Sequence, residues 1–176
     1  MAPTKRIDTA PLSALATCTL LVCTAAPAAD RETKLLVLDI ELVGDLGESS
    51  MQGEHAARIH KTSELLRQAV DRLPQYAIVG TAPVQEKIDT LSATQYLHKC
   101  NGCELDIATE LHADQVLVAW IYRVSQLVLS LTYEIREVPS GRTVRRKAFD
   151  FRGDNDDAWS RTVTYMVKDL ENSEPK

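Results

Sequence analysis

The sequence predicts an α/β fold: a single mixed β-sheet of about five strands, with two βα units first, an antiparallel meander after them, and helices packed on the sheet. Three observations predict it. Two nearly continuous apolar runs, Lys34–Val43 and Gln115–Val124, have the length and composition of strands covered on both faces. Stretches with helical spacing follow the first run and precede the second. The segment from Leu127 to Val138 alternates apolar and polar residues and turns back through Pro139-Ser-Gly-Arg142.

The elements follow in order. After the first strand, Gly44 to Gly53 is a loop carrying three glycines and two serines. Glu54 to Leu73 predicts a helix. Its inward face is Ala56, Ile59, Leu66, Ala69, Val70 and Leu73, with His55, Lys61, Glu64 and Arg67 on other faces. Pro74 ends it, because proline disfavours helical geometry in the residue before it. Tyr76 to Gly80 is a short strand. Pro83 opens a helix lined by Val84, Ile88 and Leu91 that breaks near Ser92, and a shorter piece runs to Lys99. Cys103 to Leu111 is a helix with Leu105, Ile107, Ala108 and Leu111 inward. In the meander, Leu127, Leu129, Leu131, Tyr133 and Ile135 face in, while Ser130, Thr132, Glu134 and Arg136 face out. The return strand is Thr143 to Arg152. Asp154 or Asn155 caps a last helix, Asp156 and Asp157 suit the positive end of its dipole, and Trp159, Val163, Met166 and Leu170 form its inner stripe. The ordered core is expected over residues 34–170.

The amino terminus reads as a targeting segment. Lys5 and Arg6 precede the uncharged apolar run Ala10 to Cys23, and Ala26-Pro27-Ala28 offers small residues for a signal peptidase. Cleavage after Ala28 would leave residues 29–176 as one periplasmic domain with no membrane span. A retained anchor and a lipoprotein are the weaker alternatives. For the second, Thr17 and Val22 precede Cys18 and Cys23 where a small residue is wanted. A net charge of −5 argues against nonspecific nucleic-acid binding. The one basic cluster, Arg142, Arg145, Arg146 and Lys147, reads as a solvated edge strand.

Four stretches carry a likeness to a known fold: Leu35-Leu-Val-Leu-Asp39, Glu64 to Val79, Leu111 to Ala119, and Val138 to Thr143. Together they resemble the periplasmic domain shared by the amino-terminal part of TolB and the curli secretion channel, over about residues 34–152. His112 departs from the pattern. It stands where that family has a glycine, at a site that often adopts left-handed geometry. Cys100-x-x-Cys103, with Arg152-Gly-Asp-Asn155 running into Trp159, further resembles a family of secreted proteobacterial proteins of unknown function. That resemblance implies a periplasmic accessory and supplies no catalytic residues.

Cys100-Asn-Gly-Cys103 is the one reactive motif. An even cysteine count in an oxidising compartment predicts a disulfide. Three readings stay open: a structural staple, a thiol–disulfide redox pair at a helix amino terminus, and a metal site completed by His98 or His112. His55 and His60, five apart, read as solvated surface residues. Asp154-Asn-Asp-Asp157 lacks the ligand spacing of a calcium loop and reads as a helix cap. Trp120 and Trp159 read as core aromatics. No phosphate loop, nucleophile elbow or zinc-protease motif is present. The residues to follow are therefore Cys100, Cys103, Arg152, Asp154, Asn155, Asp156 and Trp159, with no catalytic residue, metal or cofactor assigned. The expected role is a non-enzymatic accessory that binds another envelope protein through a sheet edge or helix surface. A redox protein and a small-ligand or metal-binding module are the alternatives.

Overall fold

The computed structural model describes Met1 and residues 32–172. The rest of the expected targeting segment, including the Ala28 cleavage site, Cys18 and Cys23, lies outside the described residues.

The architecture is the mixed sheet expected. In chain order the elements are β1 (Thr33–Gly44), α1 (Gln52–Val70), β2 (Tyr76–Val79), α2 (Gln85–Ser92), α3 (Cys103–Glu110), β3 (Gln115–Arg123), β4 (Leu129–Glu137), β5 (Thr143–Phe151) and α4 (Asp156–Glu171). The sheet order is β2-β1-β3-β4-β5. β1 pairs parallel with both β2 and β3, and the remaining pairings are antiparallel.

Both faces of the sheet are covered, and strand periodicity divides the core between them. Leu35 and Val37 point to the side of α1 and α4, together with Leu117, Leu131, Tyr133, Trp159 and Met166. Leu36 and Leu38 point to the side of α2 and α3, together with Ile88, Ile107, Val116 and Val118. The alternation slips between Val37 and Ile40, where the pairing with β3 shifts register. Both residues therefore reach the α1/α4 face. The Ile40 N–H donates to the buried Ser63 Oγ of α1 at 2.9 Å, which satisfies the backbone at the irregularity.

Three burial expectations are corrected. The inward face of α1 carries His55, Arg58, Thr62, Ser63, Leu66 and Val70, whereas Ala56 is exposed. The first half of this helix lies over ionic partners rather than over the apolar core. Thr132 and Glu134, expected outward, are buried, because β4 is covered on that face as well. Leu127, expected inward, precedes β4 and is 69% exposed. The stripe Trp159, Val163, Met166 and Leu170 is buried as expected, and His112 holds a left-handed φ of 53°.

Candidate functional site

The Arg152–Trp159 run separates into distinct roles. Gly153 has φ +93°, and a Cβ there would lie 2.8 Å from Asn155 Nδ2, so the strand-to-helix corner requires glycine. Asn155 is the helix cap, and its side-chain oxygen accepts from the Ala158 N–H at 3.0 Å. Asn155→Ala should therefore cost about 1 kcal/mol, read from the urea midpoint. Trp159 is fully buried, with the Arg58 guanidinium 5.6 Å from its ring centroid. Arg152 is exposed on the outer side of the corner.

Asp154 is the hub of a buried ionic lock. Its side chain is 2% exposed and accepts from Arg123 Nε at 2.7 Å and from Arg58 Nη1 at 2.8 Å, with His55 Nε2 at 2.9 Å. Arg123 and Arg58 are themselves almost wholly buried. Arg58 also bonds Asp156 at 3.0 Å and pairs with Glu54 one turn back. Asp156 further takes Lys61 at 2.7 Å. His55 is thus buried and paired, contrary to the expectation of a solvated residue, while His60 is exposed as expected. Burial pushes the Asp154 carboxyl up, but hydrogen bonds from Arg123 and His55 and the charge of Arg58 outweigh it and hold it below the ordinary carboxylate value.

The lock reaches the β3–β4 turn. Arg123 ends β3, and its Nη1 donates to the Asp45 carbonyl at 2.6 Å. The Asp154 N–H donates to the Gln126 carbonyl at 2.9 Å. Gly44 sits against the same strand end, where a Cβ would meet the Arg123 carbonyl at 2.4 Å. Tyr122 near the end of β3 and Val124, Leu127 and Val128 in the turn beyond are all about half exposed or more. By strand alternation Tyr122 and Val124 continue the face of Trp120. The α2/α3 layer covers Val116 and Val118 but leaves this end of the sheet open. From Val124 to Tyr133 the chain holds no charged residue.

A second acidic cluster lies behind the basic strand. Asp169 accepts from Tyr133 Oη at 2.7 Å and Arg145 Nη2 at 2.6 Å, and pairs with Lys147. Arg142 pairs with Glu137, and Arg146 with Glu134. The basic cluster on edge strand β5 is thus matched within the chain. Burial opposes the Asp169 charge, but bonds from Lys147, Tyr133 and Arg145 outweigh it and hold its carboxyl down to about 2. A folded value below the unfolded one, about 4, gives stability that is complete above pH 4 and lost as pH falls through about 2. Unfolding free energies from urea titration should therefore fall between pH 5 and pH 2.5 by roughly 1–2 kcal/mol, and the fall should shrink in Asp169→Asn.

Cys100 and Cys103 sit at bonding distance and close a disulfide just before and at the start of α3. Both are half-buried. The turn Leu97–Lys99, which carries Cys100, is clamped independently. Glu41 accepts from Leu97 N at 2.6 Å and His98 N at 3.1 Å, and its Oε2 lies 2.5 Å from His98 Nδ1. The His98 ring stacks on Trp120 at 4.4 Å, and Arg146 covers the other aromatic ring at 5.6 Å. Arg136 holds the His98 carbonyl at 3.2 Å and bridges Glu134 to the buried Glu104. Burial opposes the Arg136 charge, but hydrogen bonds to Glu134 and Glu104 outweigh it. Cys100, Cys103 and Glu104 bring metal-type ligand atoms within 4.8 Å of one another. Neither His98 nor His112 joins them, so the ligand set of the metal reading is not assembled, and His98 Nδ1 is turned to Glu41.

The comparisons follow from this geometry. A family model described as "Protein of unknown function (DUF2380)", DUF3280, matches residues 33–170. The chain belongs to this family. The match runs from the start of β1 to the last turn of α4, so the matched stretch of this chain includes the lock, the hairpin and the disulfide. No curated protein matches in sequence. Among solved structures, the DUF3280 chain is similar to the LpoB C-terminal domain from Salmonella enterica, with 16% identity, a TM-score of 0.52, and 71% of this chain and 86% of that one covered. It is also similar to LpoB from Escherichia coli, with 15% identity, a TM-score of 0.51, and 84% and 82% covered. These likenesses show the fold. TolB from Acinetobacter baumannii aligns with a TM-score of 0.43 and 8% identity over 79% of this chain and 29% of that one, which adds nothing further. Among the described residues no helix is long and apolar enough to cross a membrane.

Proposed function

We propose that this protein is an accessory of the cell envelope that binds another envelope protein through the tip of the β3–β4 hairpin. The mature domain starts at residue 29 and acts in the periplasm. The observation that carries the reading is the exposed, charge-free tip formed by Tyr122, Val124, Leu127 and Val128. Charged residues make up 26% of the chain, so a merely solvated turn here would be expected to carry some. Aromatic and aliphatic anchors on a preorganised scaffold are the usual energetic centre of a protein interface. The scaffold here is the Asp154 lock, which ties Arg123 at the base of the hairpin and Gln126 at its tip to the start of α4. The LpoB-like fold and the amino-terminal segment support the envelope setting. The partner surface that fits is apolar and uncharged at its centre.

The test compares wild type with the double variant Tyr122→Glu, Leu127→Glu, each immobilised and exposed to envelope extract of the source cell. The expected result is one envelope protein retained by wild type and at least about 10-fold less by the variant. Both positions are solvent-facing, so the urea midpoints should agree within about 0.5 kcal/mol. Equal retention by the two proteins contradicts the proposal.

A further inference from the structure

Glu104 is the second residue of α3, and its side chain is 1% exposed. Arg136 holds its Oε1. Its Oε2 faces Cys100 Sγ at 3.1 Å, and no other hydrogen-bond partner of that oxygen is found among the described residues. A disulfide sulfur carries no proton. In the oxidised protein this buried carboxylate oxygen is therefore aimed at a group that cannot donate to it, and buried polar atoms without partners are rare. In the dithiol, the Cys100 S–H can donate to it or to the Leu97 carbonyl, which lies 3.0 Å from the same sulfur. Cys103 occupies the first turn of α3, where backbone N–H groups favour a thiolate. The other ionisable groups around the pair are Lys99 and Asp106, both exposed, the buried His98, and Glu134 across Arg136.

We infer that Cys100, Cys103 and Glu104 form a thiol–disulfide exchange site that acts on protein disulfides, with Cys103 as nucleophile, Cys100 as resolving thiol and Glu104 as its proton acceptor. The step starts from the reduced pair, whose Cys103 has released its proton to solvent. The Cys103 thiolate attacks one sulfur of a substrate disulfide. The substrate S–S bond breaks, and its leaving sulfur takes a proton from solvent. Cys100 passes its proton to Glu104 Oε2 and attacks Cys103 Sγ, re-forming the bond seen in the structure. The second substrate sulfur leaves and takes the proton from Glu104. Two electrons have moved from the pair to the substrate disulfide, and a protein dithiol restores the pair by the reverse steps. Arg136 is a positioning residue, and the clamp on Leu97–Lys99 keeps Cys100 in place when the bond opens. This site does not use the hairpin tip and stands or falls separately from it.

The experiment takes the chain as its host produces and processes it. After reduction, iodoacetamide alkylation at pH 7 is followed at each cysteine by mass spectrometry, and closure of the pair by oxidised glutathione is timed. Cys103 is expected to alkylate at least 10-fold faster than Cys100. Glu104→Gln is expected to slow ring closure about 100-fold, while Cys103 alkylation stays within a factor of two. Unchanged closure in a folded Glu104→Gln variant overturns the inference. If that variant does not fold, the wild-type alkylation ratio decides. Equal rates, or a faster Cys100, overturn the assignment.

Discussion

Asp154→Asn is expected to destabilise the protein by about 3–5 kcal/mol, the range for breaking a buried ion pair by removing one partner. The substitution keeps the shape of the side chain and removes its charge. Arg123 and Arg58, almost wholly buried, would then face an amide that keeps one acceptor oxygen but no longer balances two guanidinium charges. Asp156 and Glu54 compensate Arg58 in part, and Asp45 lies 3.6 Å from Arg123. Arg123 therefore carries most of the cost. Against a total stability of about 5–15 kcal/mol, the loss is visible as a large fall in the urea midpoint. It should come with weaker partner binding, because the Asp154 backbone and side chain both hold the hairpin. A midpoint within about 1 kcal/mol of wild type would mean that water replaces the carboxylate at little cost.

Trp159→Ala carries the second large effect, about 3–5 kcal/mol from lost burial and the cavity left behind. Trp159 is the largest fully buried side chain among the described residues, and it packs with Tyr133, Met166 and Val163. Its Nε1 is buried with no hydrogen-bond partner among the described residues. Trp159→Phe removes that unpaired N–H along with part of the ring, so the two terms oppose and the net loss should stay under about 1.5 kcal/mol. A cost for phenylalanine close to that of alanine would show that the indole N–H has a role that packing does not explain. Paired urea titrations of the two variants separate the cases.

Much of the fold was legible because strands and helices leave different periods in a sequence. The runs at Lys34 and Gln115, the alternation from Leu129 and the stripe from Trp159 to Leu170 all fall where their patterns place them. What could not be read was the partnering of charges. His55 meets Asp154 across 99 residues and Arg58 meets the same carboxylate across 96, separations that no local pattern reports. Glu41, Glu104 and Glu134 are mostly or wholly buried for the same reason: each meets a cation or an N–H donor from another element. Alternation in β4 places Leu129, Leu131, Tyr133 and Ile135 inward, and the structure puts them in the core under α1 and α4. It could not show that the opposite face is covered too.

The candidate site was half legible. The Cys100–Cys103 pair and the cap at Asn155 were visible as motifs, since each acts over three residues. A loop that short gains only about 2 kcal/mol from its crosslink in the chain-entropy model, and the turn is already held by Glu41 and Arg136. The exposure of Leu127 was missed, because an apolar residue in phase with a buried strand face is expected inside until the end of that strand is known. That residue now marks the centre of the proposed interface.

Site-specific photo-crosslinking in the source cell tests the central claim most directly. A photoreactive amino acid is placed at Leu127 and, as a control, at Gln95, which is exposed in the loop between α2 and α3. The account predicts a discrete adduct with one envelope protein from Leu127 and none of that mass from Gln95. The same adduct from both positions, or none from Leu127 while Gln95 gives one, would contradict an interface at the hairpin tip.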